Sequence, residues 1–425
     1  MALRLERTDE RLTRRSGLVL IDRFGKRLDI AKRIDSVFPA PGSNGGFLPS
    51  VYVTTLLEMM IDGGTCLEDV RAFRDDAAYQ AMTNRDHYPT SDALGDWLRR
   101  HGEHGGAHHI GQVNGELVRT MTVERDLTLD IDTTLIASDK GDAEVCYEGF
   151  RAYNPLVGIC TELGLFVAAR FQQGNVSAQS DLHSFIEQCT TILPLRIGTV
   201  RSDSAAYNHD VMNFCFQHQL RFTITADHDD AVMAAIATIP RNAWKQGVSD
   251  DGSPASYKVA EVLHTMNQTR QSFRLVVKRT ERYNQLDLFE AYHYWIVATN
   301  IPASDKDAQA IITFHNDRGE MERLIGELKH HLHLDHLPCG QFSANSLYFS
   351  IGVLAFNLVQ LLKREHFAQQ WKTRSISSLR YLWLHAPAKL ISHARSLVAR
   401  IALAKDLFDE LHAAYLHIAY APDSG

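Results

Sequence analysis

The sequence predicts an α/β protein whose mixed core is flanked by helical regions at both ends. Three observations carry this. Hydrophobicity switches to a period of two where Leu127, Leu129 and Ile131 alternate with Thr128, Asp130 and Asp132. From there to residue 225 strand-like runs alternate with helix-like ones, as expected when helices cover a sheet. On either side the apolar residues fall at helical spacing or in long helix-forming runs.

Residues 1–120 read as mainly helical. Leu48 to Met60 is an apolar run, Cys66 to Phe73 follows, and Pro89-Thr90-Ser91-Asp92 sets N-cap residues before a helix at Ala93 to Arg100. The Gly/His-rich stretch His101 to Gly111 reads as a linker. In the core, Gly164 to Phe171 reads as a second strand, Asp181 to Thr191 as a helix, and Ile197 to Ser202 as a strand ending at Asp203. Tyr207 to His218 has helical spacing and Leu220 to Thr225 returns to strand. Residues 228–290 break the rhythm with the Gly/Ser/Asp-rich loop Gly247 to Ser256 and the β-rich run Ser272 to Lys278, and so predict an inserted, largely antiparallel subdomain. Tyr292 to Thr299 resumes the core, and everything from Ser343 onward reads as helical. The expected division is residues 1–120, a core from 121–227 and 291–342, the insertion at 228–290, and a helical region at 343–425.

A chain of 425 residues with 45% hydrophobic and 22% charged residues has the make-up of an ordinary globular protein with a sizeable core. The early apolar run Gly17 to Ile21 is too short for a signal peptide, so a cytoplasmic location is expected. Leu347 to Leu362 is shorter than the ~20 residues that span a bilayer and contains Asn357 and Gln360, which favours a buried helix and no membrane partner. The six cysteines are scattered without zinc-ligand spacing. The net charge of −7 hides an asymmetry, because residues 1–35 and 363–425 each carry an excess of four positive charges. A polyanion would therefore meet local basic patches and not a global field.

The most informative segment is His315-Asn316-Asp317-Arg318-Gly319-Glu320-Met321-Glu322-Arg323-Leu324-Ile325-Gly326-Glu327-Leu328-Lys329. Read as one helix, it places His315, Arg318, Glu322 and Lys329 in a narrow stripe beside the apolar Phe314, Met321, Ile325, Leu328 and Leu332. A carboxylate flanked by cations at the edge of a core suits phosphate chemistry. Upstream, Asp132 lies in one strand and Asp203 at the end of another. Three carboxylates from separate elements of an α/β core form the oxygen-rich donor set that hard divalent cations need. Asp130 and Asp132, on one face of a strand covered by helices, are costly to bury without a cation.

On these residues the chain resembles the DDE transposases of bacterial insertion sequences, in the cut-and-paste group with a β-rich insertion before the final glutamate. The resemblance covers most of residues 125–365, through Leu129-Asp130-Ile131-Asp132-Thr133-Thr134, Tyr147-Glu148-Gly149-Phe150, Tyr153-Asn154-Pro155-Leu156, Gly174-Asn175-Val176, Arg201-Ser202-Asp203-Ser204 and the segment above. The group's signature is Tyr, two residues, Arg, three residues, Glu, six residues, Lys. Arg318, Glu322 and Lys329 fit its spacing, and His315 stands where the tyrosine is expected.

The resemblance implies a ribonuclease-H-like core with Asp132, Asp203 and Glu322 as catalytic, metal-binding residues. Two Mg²⁺ or Mn²⁺ ions are expected, with Asp130 the alternative to Asp132 as first ligand. It implies that Arg318 and Lys329 hold DNA phosphates, with His315 able to add a hydrogen bond; Trp295 either packs in the core, the more frequent fate of such a residue, or stacks on a displaced base. The partners implied are double-stranded DNA, as element ends and target, and a second copy of the chain in the DNA complex. The basic N-terminal region is expected to read the terminal inverted repeat. Two other readings remain: a transposase-derived DNA-binding protein that no longer cuts, and a metal-dependent hydrolase of small phosphoesters. The cluster His330-His331-Leu332-His333-Leu334-Asp335-His336 repeats no zinc-ligand spacing.

Overall fold

The computed structural model describes residues 3–42, 46–120, 126–249, 251–281, 292–393 and 396–420. Its centre is a nine-stranded sheet. The strands are β1 (Leu127–Thr133), β2 (Leu156–Cys160), β3 (Leu165–Arg170), β4 (Ile197–Ser202), β5 (Arg221–Thr225), β6 (Lys245–Val248), β7 (Pro254–His264), β8 (Phe273–Glu281) and β9 (Tyr292–Thr299). Their spatial order is β6-β7-β8-β9-β5-β4-β1-β2-β3. β1, β2 and β3 form an antiparallel meander, and β4 and β5 then lie parallel to β1. The helices between the parallel strands supply the crossovers that such pairing requires. A three-stranded meander extended by two parallel strands is the ribonuclease-H-like arrangement.

The β-rich segment expected as an inserted subdomain is continuous with this sheet. β7, β8 and β9 pair antiparallel, and β9 pairs with β5 through Val297–Thr225 and Thr299–Thr223. The expected boundaries at 121 and at 290–291 fall outside the described residues.

The terminal regions are not separate either. Helices α1 (Pro49–Asp62), α2 (Ser91–Glu103) and α3 (Gly106–Arg119) precede the sheet. Crossover helices α4 (Leu182–Ile192) and α5 (His209–Gln217) accompany β4 and β5, while α6 (Ala308–Asn316) and α7 (Gly319–Gly326) follow β9. The long α8 (Phe342–His366) packs on α1, α2, α3 and β3. It is long and apolar enough to cross a membrane, yet 83% of its apolar window is buried inside the fold.

Edge strand β3 shows why α8 carries polar residues. Its backbone groups would be unsatisfied beneath α3 and α8. Asn357 Oδ1 accepts from the Phe166 amide at 2.9 Å, while its Nδ2 donates to the Phe166 carbonyl at 2.8 Å and to Asn114 Oδ1 at 2.7 Å. Asn114 Nδ2 donates to the same Phe166 carbonyl at 3.1 Å. Two asparagines on two helices thus stand in for a missing neighbour strand.

The stretch His101 to Gly111, expected as a linker, is a tight corner between α2 and α3. Gly105 adopts a positive φ of 78° to turn the chain. Gly102 lets α2 approach α8, because a Cβ there would stand 2.5 Å from the Ser343 carbonyl oxygen. The C-terminal region is not wholly helical. Ala388–His393 and Ser396–Ile401 pair antiparallel, and Leu12–Thr13 adds a third strand, so the two ends of the chain share a small sheet.

Candidate active site

Sheet register brings the first two carboxylates together. β1 and β4 run parallel with Asp130 opposite Arg201 and Ile131 opposite Ser202. Asp132 and Asp203 therefore emerge at the same level, at the carboxyl ends of adjacent strands, where α/β sheets open their crevice. Asp203 also caps the short 3-10 turn Ser204–Ala206, accepting from the Ala205 amide at 3.0 Å.

The third carboxylate arrives on a broken helix. The continuous helix expected from His315 to Lys329 is three pieces: α6 ends at Asn316, α7 begins at Gly319, and Glu327–His331 is a π-helical turn. The stripe computed for an unbroken helix is accordingly dispersed. Glu322 is exposed in the first turn of α7. Arg318, at the corner, donates from Nη2 to Asp132 Oδ2 at 3.1 Å, and its Nε makes no hydrogen bond. Lys329, half-buried in the π turn, donates to the Leu135 carbonyl at 2.7 Å and so holds the chain just beyond β1. Burial draws its pKa below the usual lysine value.

His315 departs furthest from its expected place among the phosphate ligands. Its ring is 2% exposed, with Nε2 3.0 Å from Thr225 Oγ1 and the ring centroid 5.4 Å from that of Trp295. Burial, then the charges of Arg318 and Arg201, push its pKa down to about 3, so it is a neutral core residue. Trp295 is half-buried against an apolar cluster that includes Val276, Val297 and Ile311, with Lys278 Nζ 5.8 Å from its ring.

Electrostatics show which groups share the site. Asp132 is raised to about 6, first by burial and then by Asp203, with Glu322 adding to the same direction and Arg318 opposing it. Asp203 and Glu322 thus both act on Asp132. Among the described residues no three His, Cys, Asp or Glu side chains stand close enough to hold an ion, and Asp132 is paired with Arg318. The donor set nevertheless suits a hard cation: oxygen ligands only, on three elements, with a central carboxylate whose charge is under-compensated. Asp130 does not belong to it. It is fully buried and taken by Arg201, which binds both carboxylate oxygens, and by Thr161. Burial raises its pKa against the pull of Arg201. The cation that the buried Asp130 required is a guanidinium.

Two neighbours were not singled out from sequence. Arg201, in the strand before Asp203, is one. Asp227 is the other: it follows β5, and its pKa is raised by burial, with Asp229 and Asp203 contributing and a bond from Ser204 opposing. The signal available was position, an acidic run Asp227-His228-Asp229 just past a strand that parallels β4.

No curated protein matches this chain. Among solved structures it is similar to the cryo-EM structure of the piggyBac transposase synaptic complex with hairpin DNA, at 9% identity and a TM-score of 0.47, over 89% of this chain and 83% of that one. A protein-family model described as "Transposase DDE domain group 1" matches residues 1–422. The chain belongs to that family of DDE transposases.

Proposed function

We propose that this DNA transposase binds the terminal inverted repeats of its element, cleaves the phosphodiester at each end and transfers the freed 3′ end to target DNA. The observation that carries the reading is the parallel register that sets Asp132 and Asp203 at the carboxyl ends of adjacent strands, with Arg318 on Asp132. Asp132, Asp203 and Glu322 would hold two divalent cations, Mg²⁺ or Mn²⁺. When bound, these would supply charge stabilisation for in-line attack at phosphorus and lower the pKa of the nucleophile, water in cleavage and the freed 3′ hydroxyl in joining.

The chain's own residues do the rest. Asp132 would hold the cation in place of Arg318, which would leave the Arg318 guanidinium available to a DNA phosphate. Arg318 suits that role because its planar fork matches phosphate oxygens and its Nε has no bond to give up. Lys329 lies near the same strand end, on the Leu135 carbonyl. Trp295 lies in the strand before these residues, where a base leaving the duplex would find an indole. Two ends must be cut together, so a dimer on DNA is part of the proposal.

A second reading draws on the Asp132–Arg318 ion pair, which a DNA-binding protein that no longer cuts would retain permanently. The test that separates them is incubation of an end-repeat duplex with Mg²⁺ and either wild type or Glu322→Gln. The transposase reading expects wild-type cleavage, no cleavage by Glu322→Gln, and equal duplex binding with a steep salt dependence. Binding without cleavage by either protein would favour the second reading. Turnover of a chromogenic phosphoester without salt-dependent DNA binding would favour a small-phosphoester hydrolase.

A further inference from the structure

One buried guanidinium ties together the elements that carry the three carboxylates. Arg201 is 3% exposed and lies on β4, two residues before Asp203. Its Nε donates to Asp130 Oδ1 at 2.5 Å and its Nη2 to Asp130 Oδ2 at 2.8 Å. Asp130 lies on β1, two residues before Asp132. Nη1 donates to the Phe314 carbonyl at 2.5 Å, in the last turn of α6 and four residues before Arg318. Thr161, at the end of β2, donates to Asp130 Oδ2 at 2.9 Å and completes the set. The Phe314 ring lies 5.0 Å from the guanidinium carbon.

Stability alone is a poor account of this arrangement, since a buried ion pair roughly breaks even against apolar residues of the same shape. Geometry is a better one. The Phe314 carbonyl belongs to the last turn of α6, where carbonyls lack helical partners, and Arg201 caps it. The planar fork therefore fixes the β1–β4 register and the end of α6 with a single side chain. Arg318 follows directly from that end, and Glu322 comes one helical turn later.

We propose that Arg201 is a positioning residue of the strand-cleavage site, clamping β1, β4 and the end of α6 so that Asp132, Asp203 and Glu322 converge. The inference rests on the transposase reading above. Arg201→Lys keeps a positive charge in the site but cannot make the paired bonds to Asp130 and cap Phe314 at the same time. In the DNA-free protein, Mn²⁺ binding followed by the electron paramagnetic resonance signal of the free ion is expected to weaken about tenfold or more. Single-turnover cleavage of an end duplex in Mg²⁺ is expected to slow by about 10- to 100-fold, with duplex affinity in EDTA unchanged within about twofold.

A folded Arg201→Lys that binds Mn²⁺ and cleaves like wild type overturns the proposal. So do losses that track the unfolded fraction and vanish at lower temperature, since those mark a merely structural role. Should Arg201→Lys not fold, Asp130→Asn keeps the side-chain shape, weakens the same clamp and carries the same test; wild-type Mn²⁺ affinity in folded Asp130→Asn overturns it equally. A wild type that neither binds Mn²⁺ nor cleaves refutes the transposase reading beneath, which distinguishes the two failures.

Discussion

Replacing Arg318 by methionine removes the cation paired with Asp132 and leaves a shorter, unbranched apolar side chain. The two groups meet at 3.1 Å, and their side chains are 16% and 21% exposed. For charge centres about 4 Å apart at an effective dielectric near 20, the attraction is about 4 kcal/mol. Partial exposure reduces that to about 1.5–3 kcal/mol, or about one to two pKa units. Asp132 already stands at about 6 because burial and Asp203 outweigh Arg318. Without Arg318 its titration should move to about 7–8. Glu322→Gln should move it the opposite way, because the Glu322 charge is among those raising it.

The readout is the carboxyl resonance of ¹³C-labelled aspartate, assigned by its loss in Asp132→Asn. The sign also governs stability. A folded-state pKa above the unfolded value means stability that is present at low pH and lost as pH rises through the folded value. In Arg318→Met that loss should be larger and extend to higher pH. Metal binding supplies a cross-check with a crossing point. At pH 6 the variant should bind Mn²⁺ more weakly than wild type, because a proton must leave Asp132. Above about pH 8 it should bind more tightly, because the competing guanidinium is gone. Titration midpoints that coincide in wild type and Arg318→Met would refute the placement of Arg318 on Asp132 and the exchange built on it.

Other expectations concern the frame around the site. Asn357→Leu leaves the buried Phe166 amide and Asn114 Oδ1 without partners, and should cost ~3 kcal/mol in urea denaturation; a loss under ~1 kcal/mol would show that β3 does not depend on α8. Glu58, buried beside Arg85 at 3.1 Å, is pushed up to about 7 mainly by burial. Its contribution is present at low pH and lost as pH rises through about 7, so between pH 5 and 8 wild type should lose ~2–3 kcal/mol relative to Glu58→Gln, and parallel pH profiles would contradict this. Gly102→Ala sets a Cβ against the Ser343 carbonyl and should lower stability by ~1–3 kcal/mol in thermal melts, where an unchanged midpoint would mean that α2 shifts freely against α8.

What could be read from the sequence depended on whether a signal was local. β1, β4 and β5 announced themselves through their apolar runs and the polar residues that end them, and those endings placed Asp132 and Asp203. β2 escaped notice because all five of its residues are buried and show no alternation. The stripe from His315 to Lys329 was sound arithmetic on a false premise, for 100° per residue holds only along one unbroken helix. Asn316-Asp317-Arg318-Gly319 carries turn-forming residue types that argued for the break. His101 to Gly111 posed the converse problem, since glycines that permit close helix contact look the same in sequence as glycines that loosen a linker. Asp130 is the most instructive residue. Its burial demanded a cation, and a metal and a guanidinium meet that demand equally well. Its partner lies 71 residues away, and the partner of Asp132 lies 186 residues away. Electrostatics can therefore require a counter-charge from sequence alone, but only the sheet register decides that Asp130, and not its neighbour Asp132, receives Arg201.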